Sequence, residues 1–411
     1  MVWGKPCLSH TFHTIIMFEG TELCVMTMVN NMEVTVYTMG FGESILLSDK
    51  TALLIDCGSE SISNSTYFSV IEDDLKEYEK VDALITHFHE DHINGFFEVS
   101  KKIKFNRVFI PDIFCVKQHP NAVDISLLTF ILSKRKFPDR FLNNRPSAGF
   151  SIMDLLYQMM GSFTNLILLR REKNAFQAID RQFDVLWPVP EEFRFHSVYD
   201  KIANSIVFDE SIIYDTSDLI SNAYITISNN DRNINTSDVE TNIQVLINSI
   251  QDNTGSNVVF SKLLSSLKNS TNQTSIVCQV KDDMKNLLLT GDITKSFLRK
   301  IARDKVAPSI PLFDEYYAIK APHHGTKSHY FDFGKYTDYA YLIISNGDTQ
   351  APKVTRGKIY DKYSVPSRTY RMVCSNTVPD QCERLVNKSA SCPHKTDFCN
   401  CLNTTNLRIP I

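Results

Sequence analysis

The 411-residue chain lacks any uninterrupted apolar run of the roughly 18 to 20 residues that a membrane-spanning helix requires. Its first thirty-one residues also lack the basic start, apolar block and cleavage site of a secretory leader. These absences set the expectation of a cytoplasmic protein with no membrane partner, whose ten cysteines are mostly reduced thiols. An excess of positive charge is missing as well. The 43 Lys and Arg against 47 Asp and Glu leave a formal net charge of −4, so no overall basic character announces nucleic acid. A local basic groove on an acidic protein remains compatible with that balance. Paired C-x-x-C spacings are absent too, although Cys374, Cys382, Cys392, Cys399 and Cys401 lie close together with His394 among them. They read as free thiols in a peripheral appendage, with a structural zinc site as the alternative.

What is present is an ordinary globular composition, 43% hydrophobic and 22% charged, enough for a sizeable core. The length fits one large domain with insertions, or two domains. The segment that organises the chain is Thr86-His87-Phe88-His89-Glu90-Asp91-His92, which follows the apolar run Val81-Asp82-Ala83-Leu84-Ile85. The run reads as a buried strand that delivers the cluster at its C-terminal end. Imidazole and carboxylate are ligands a zinc-like ion prefers, and His87 and His89, two apart, point the same way if strand geometry continues. Asp91 and His92 then face elsewhere, which suits a second metal beside the first.

Taken in order, residues 1–31 read as an N-terminal extension. Glu33 to Met39, Ser44 to Leu47 and Ala52 to Ile55 read as strands, the last running into Asp56-Cys57-Gly58. Ile71 to Tyr78 reads as a surface helix, Val108 to Pro111 as a strand, and Ile125 to Leu132 and Ile152 to Met160 as helices. The stretch of about 112–269 is expected to be an insertion, helical or loop-rich, although Asp184 to Trp187 within it reads as a strand. Regular pattern returns with the hairpin Ile276 to Val280 and Asn286 to Thr290, which ends in Gly291-Asp292. Ala318 to Pro322 then delivers His323-His324-Gly325-Thr326, and Ala340 to Ile344 is a further strand. The expected organisation is therefore an extension at 1–31, a domain at 32–371 with its insertion, and a cysteine-rich tail at 372–411.

Asp56, His87-x-His89-x-Asp91-His92, Gly291-Asp292 and His323-His324-Gly325 stand in the order of the metallo-β-lactamase superfamily. The chain resembles most closely the detached hydrolase domain of ComEC-type competence proteins, over roughly residues 32–110 and 270–350. The resemblance implies an α/β fold, a four-layer αβ/βα sandwich with two divalent metal ions, Zn²⁺ or Mn²⁺, along one edge. It implies that His87 and His89 hold the first metal, that Asp91, His92 and His324 hold the second, and that Asp292 bridges both. Asp56 would brace the ligands through hydrogen bonds. Of the histidine pair, His324 is preferred as the ligand, leaving His323 to contact substrate or pass a proton. The sequence departs from the superfamily at one point: Asn272 or Thr274, within Asn-Gln-Thr-Ser, stands where a third histidine usually serves the first metal. His196 is a substitute far off in sequence, and as a lone histidine it reads as a surface residue.

A dinuclear site of this kind activates water for hydrolysis, with Asp91 placed to orient the nucleophile or carry its proton. The expected function is a metal-dependent phosphodiesterase, specifically a nuclease, with nucleic acid as substrate. Lys320, Lys327, His329, Tyr330, Lys335 and Tyr336 would supply a basic and aromatic strip for it. A role as the cutting subunit of a bacterial anti-phage defence system, with protein partners, is a companion expectation. Hydrolysis of a small phosphodiester or other ester is the alternative within enzymes. A non-catalytic interaction subunit is the alternative outside them.

Overall fold

Runs such as Ala52-Leu53-Leu54-Ile55 and Leu287-Leu288-Leu289 are apolar on both faces, and a strand tolerates that only when both faces are covered. The computed structural model shows how they are covered. It describes residues 32–37, 39, 42–59, 65–113, 120–136, 163–207, 210–228, 241–242, 245–246, 248, 251–252, 257–282, 285–303 and 310–345, with strands at 17–18, 21–22, 371–374 and 406–410.

The strands in chain order begin with the short pair β1 (Met17–Phe18) and β2 (Thr21–Glu22). There follow β3 (Glu33–Tyr37), β4 (Ile45–Ser48), β5 (Ala52–Ile55), β6 (Val81–Leu84), β7 (Phe105–Pro111) and β8 (Phe163–Leu169). Next come β9 (Glu172–Ala178), β10 (Arg181–Trp187) and the short pair β11 (Ile206–Val207) and β12 (Gln251–Asp252). The last are β13 (Val277–Val280), β14 (Leu287–Leu289), β15 (Glu315–Lys320), β16 (Asp338–Ile344), β17 (Arg371–Cys374) and β18 (Asn406–Pro410). Two seven-stranded sheets result, in the orders β18-β3-β4-β5-β6-β7-β8 and β17-β16-β15-β14-β13-β10-β9. In each, antiparallel pairing on one side gives way to parallel pairing, from β5 to β8 in the first and from β14 to β17 in the second.

The helices are α1 (Ser65–Leu75), α2 (Glu90–Ile93), α3 (Phe96–Val99), α4 (Ala122–Lys136), α5 (His196–Ala203), α6 (Glu210–Ser228), α7 (Asn257–Thr271) and α8 (Lys295–Arg303). Three separate cores divide the layers. Between the sheets, Val34, Val36, Leu47, Leu53, Ile55, Leu84 and Phe109 meet Phe183, Val185, Ile276, Cys278, Leu287 and Leu289. Outside the first sheet, Leu54, Ala83 and Val108 pack with Phe68 and Ile71 of α1, Leu128 and Ile131 of α4, and Leu267 of α7. Outside the second, Leu288, Ile319 and Leu342 pack with Phe297, Leu298 and Ile301 of α8. This is the four-layer αβ/βα sandwich expected, the metallo-β-lactamase fold.

The central insertion is narrower than the expected bounds of about 112–269. Residues 163–187 within that stretch form β8, β9 and β10, which belong to both sheets. The β9–β10 hairpin turns at Ile179-Asp180, both at positive φ (48° and 56°), so the mirror-image turn is made without the Asn-Gly or Gly signal that announces it in sequence. The helices α4 to α7 make up the described insertion and stack on the first sheet. Its anchor is α4, whose first turn is capped reciprocally. Asn121 Oδ1 accepts from the Val123 and Asp124 amides, and Asp124 Oδ2 accepts from the Asn121 amide at 2.6 Å. Asp124 also accepts from the Ser217 hydroxyl, tying α4 to α6.

Strands β17 and β18 extend the outer edges of the two sheets, β17 beside β16 and β18 beside β3. The stretch read as a cysteine-rich tail thus carries a strand at each end, while Cys382, Cys392, Cys399, Cys401 and His394 lie outside the described residues, as does the helix expected at Ile152 to Met160. Among the described residues, no helix is long and apolar enough to cross a membrane.

Candidate metal centre

The polar residues singled out in sequence gather at one edge of the sandwich because parallel strands release their C-terminal ends on the same side. From β5 the chain enters Asp56, from β6 the segment 86–92, from β14 Asp292, and from β15 the pair His323 and His324. Asp56 ties the first two loops together. Its Oδ1 accepts from the Thr86 amide and its Oδ2 from the Thr86 hydroxyl, both at 2.7 Å, and Oδ2 also meets His92 Nδ1 at 2.7 Å. The carboxylate thereby turns His92 Nε2 inward, the bracing expected of Asp56. Gly58 is required by crowding: a Cβ there would lie 2.2 Å from the Asp91 carbonyl carbon.

Asp292 is the hub. Its Oδ2 lies 3.3 Å from His92 Nε2, 3.6 Å from His324 Nε2, 3.6 Å from His323 Nε2 and 3.9 Å from His87 Nε2. His87 Nε2 and His89 Nδ1 face each other at 3.0 Å. His324 Nε2 lies 3.1 Å from Asp91 Oδ2, while its Nδ1 is held by the Ser345 carbonyl at 2.8 Å. The outward nitrogen of His89 is likewise occupied, by Thr271 Oγ1 at 2.6 Å and the Lys268 carbonyl at 2.8 Å. Each of these rings is therefore pinned through one nitrogen and presents the other to the centre. His323 and His324 both adopt left-handed backbone, φ 49° and 55°, a strained arrangement for side chains with a Cβ.

Electrostatics follow from burial and company. Burial holds His87 and His89 below the ordinary histidine range, so both are neutral. Burial opposes charge on His92 also, but Asp292 and Asp56 outweigh it and raise its pKa. Burial would raise Asp292, yet His92, His324, His323 and Lys320 together hold it well below the usual carboxylate range. Burial lowers His323 to about 4.

All six expected metal ligands, His87, His89, Asp91, His92, Asp292 and His324, are brought together, and His323 stands beside them at the rim. Among the described residues, two sets can hold an ion: Glu43, His92, Asp292 and His324, and His87, His89 and Asp292. Several buried polar atoms there make no hydrogen bond: His92 Nε2, both Asp292 carboxylate oxygens, and both amide atoms of Asn272. Carboxylate oxygens and imidazole nitrogens converging on one point are what a divalent cation satisfies, taking the place of the proton that His92 otherwise carries. The residues present fit the metals that the fold implies. His196 is exposed on α5 and paired with Asp200 at 2.8 Å, a surface residue as expected.

Two residues were missed as parts of the site. Glu43, in the turn between β3 and β4, and Lys320, at the end of β15, are both about 1% exposed, with Lys320 Nζ 2.5 Å from Glu43 Oε2 and 3.5 Å from Asp292 Oδ1. Lys320 Nζ also donates to the Gly291 carbonyl at 3.0 Å. Burial works against its charge, but Glu43 and Asp292 raise its pKa and keep it an ammonium. The signal available in sequence was a single lysine inside the apolar run Ala318-Ile319-Lys320-Ala321. This removes Lys320 from the expected nucleic-acid strip, of which Lys335 is exposed. Lys320 is buried under the site, Tyr336 stacks on Phe331 at 5.4 Å, Lys295 Nζ sits 5.9 Å over the Tyr330 ring, and His329 Nδ1 meets His323 Nδ1 at 2.6 Å.

Residues 37–136 match the sequence model of a family described as Anti-Pycsar protein Apyc1. No curated protein matches the chain. Among solved structures, the chain is similar to the metallo-beta-lactamase fold protein YhfI from Bacillus subtilis at 10% identity and a TM-score of 0.31, over 87% of this chain and 94% of that one. It is also similar to Tm1679, a metal-dependent hydrolase of the beta-lactamase superfamily, at 12% identity and a TM-score of 0.36, over 92% of this chain and all of that one. These likenesses are distant. The fold assignment rests on the strand order and the three cores.

Proposed function

We propose that the protein is a metal-dependent phosphodiesterase. The observation that carries this reading is the hub: one Asp292 oxygen within 3.9 Å of four histidine nitrogens, with Asp91 hydrogen-bonded to one of those histidines. His87, His89 and Asp292 would hold one ion; with Glu43 engaged by Lys320, Asp91 would join His92, His324 and Asp292 at a second. Such ions supply Lewis acidity, lowering the pKa of water and neutralising charge that builds on phosphoryl oxygens. The chain's own groups do the rest. Asp91, whose carboxyl His324 and His92 hold well below the usual carboxylate range despite burial, would orient the attacking water and accept its proton. His323, about a quarter exposed at the rim and neutral near pH 7, offers an N–H to a substrate oxygen. Lys320 offsets the negative charge of Asp292 from beneath.

A small phosphodiester is favoured over a nucleic-acid strand by one observation. Four of the basic and aromatic residues that would track a strand are engaged within the protein, Lys320 with Glu43, Tyr336 with Phe331, Tyr330 with Lys295 and His329 with His323, while Lys335 is exposed. The match of residues 37–136 to the anti-Pycsar protein family supports a defence-related setting. The test is to load the purified protein with Mn²⁺ or Zn²⁺ and assay bis-p-nitrophenyl phosphate beside labelled single- and double-stranded DNA. Metal-dependent turnover of the diester with intact DNA is expected. Cleavage of DNA would restore the nuclease reading, and a protein that binds no metal would overturn the proposal.

A further inference from the structure

The first ion, as described, has three protein donors, one fewer than the second. The missing donor's usual place is taken by Asn272, which is fully buried and whose Oδ1 and Nδ2 both make no hydrogen bond. An amide stripped of water with neither end satisfied is strongly disfavoured unless something absent from the chain itself completes it. Its position says what that is. Asn272 follows α7 directly, at the start of the short turn Asn272–Thr274. The residue before it, Thr271, is bonded through its hydroxyl to His89 Nε2 at 2.6 Å. Three residues on, the Ser275 hydroxyl accepts from the Asp292 amide at 3.2 Å. Asn272 is thus bracketed between contacts to two residues of the first site.

The turn itself is fixed. Ser275 N donates to the Asn272 carbonyl at 3.3 Å, Ile276 N donates to the Thr86 carbonyl at 2.8 Å, and the Gln273 carbonyl accepts from Trp187 Nε1. The Gln273 side chain is engaged elsewhere, its Oε1 taking the Arg194 amide at 2.7 Å. Neighbouring side chains are therefore committed elsewhere, and the Asn272 amide is held in place without a partner.

We infer that the Asn272 side-chain oxygen is the fourth protein donor to the first ion, beside His87, His89 and Asp292. This rests on the metal-site reading above and deepens it. The first site then offers two nitrogens and two oxygens, a set that accepts Mn²⁺ more readily than one with three imidazoles would. The amide nitrogen stays free to donate a hydrogen bond toward a substrate oxygen.

The experiment measures metal binding without activity. Wild type, Asn272→Leu and Asn272→His are stripped with chelator and titrated with Mn²⁺ and with Co²⁺, following stoichiometry and the Co²⁺ absorption bands. Two ions are expected for wild type. In Asn272→Leu one of them weakens by about 10- to 100-fold or more, the loss typical of disturbing a ligand set. The other ion is unchanged, and the metal-free variant melts no lower than wild type because a bare amide has been replaced by a hydrocarbon. Asn272→His should restore the affinity for Co²⁺ and shift its absorption bands. Two ions bound by Asn272→Leu as tightly as by wild type would overturn the inference and leave the metal site standing. Should the Leu variant not fold, a Co²⁺ spectrum in Asn272→His identical to wild type overturns it equally. A wild type that binds no ion overturns both.

Discussion

Two regions of this protein bury an aspartate, with opposite results. Asp292 sits among His92, His324, His323 and Lys320, and their attraction overcomes the effect of burial and keeps it ionised. Asp124, in the helical layer, is as deeply buried but its hydrogen-bond partners, the Ser217 hydroxyl and the Asn121 amide, are neutral, and burial, helped by the negative Asp218, raises its pKa to about 6. Hydrogen bonds to neutral groups do not cancel the upward push of burial on a carboxylate; nearby positive charge does, and drives the pKa the other way. One aspartate is thereby equipped for chemistry and the other for holding helices together.

The largest effect should come from removing the hub charge. Asp292→Asn keeps the shape, yet bound metal should fall below one ion per chain by elemental analysis. Diester turnover should drop by ~10³-fold, since several kcal/mol of charge stabilisation disappear. Full occupancy in this variant would erase the distinction between the two aspartates.

Next comes the counter-charge. Lys320→Met leaves Glu43 and Asp292 buried beside no ammonium, and losing one partner of such a pair costs about 3–5 kcal/mol. Urea denaturation of metal-free protein should show it, and adding Glu43→Gln should recover most of the loss.

Asp124 gives the pH test. Its folded pKa of about 6 lies above the ordinary value of 3.8. Its contribution is therefore fully present below that ordinary value and is lost as pH rises through about 6. Between pH 4.5 and 7 the wild type should lose about 2 kcal/mol more stability than Asp124→Asn. Equal slopes in paired denaturation curves would show that burial does not raise the Asp124 pKa. The smallest effect belongs to its cap: Asn121→Ala removes the acceptor for two helix amides and should cost about 1 kcal/mol at any pH in that range.

Much of the site was legible because its chemistry is concentrated in short segments. His87, His89, Asp91 and His92 fall within six positions after an apolar run, and Gly291-Asp292 and His323-His324 each close a recognisable strand. The strand runs of the β3–β5 and β13–β14 meanders were equally plain, since burial on both faces leaves continuous apolar residues. Glu43 and Lys320 were not legible. Their meaning lies in a pairing across 277 positions (320 minus 43), and a lone lysine near a histidine motif reads as surface charge until burial is known. The β9–β10 hairpin escaped because Ile179 and Asp180 make its turn without glycine. The edge strands β17 and β18 escaped because their partners, β16 and β3, lie elsewhere in the chain.

The contact between Asp91 and His324 spans 233 residues, and it has a kinetic meaning. A contact of that separation can form only after a very large loop has closed, and folds dominated by such contacts assemble slowly. His87 and His89 can meet within their own loop early, but neither ion-binding set is complete until β14 has docked Asp292 against β6. Metal capture is therefore a late event, and a partly folded chain offers an ion little more than a pair of neighbouring histidines. Stable occupancy of the centre becomes a signature that both sheets have come together.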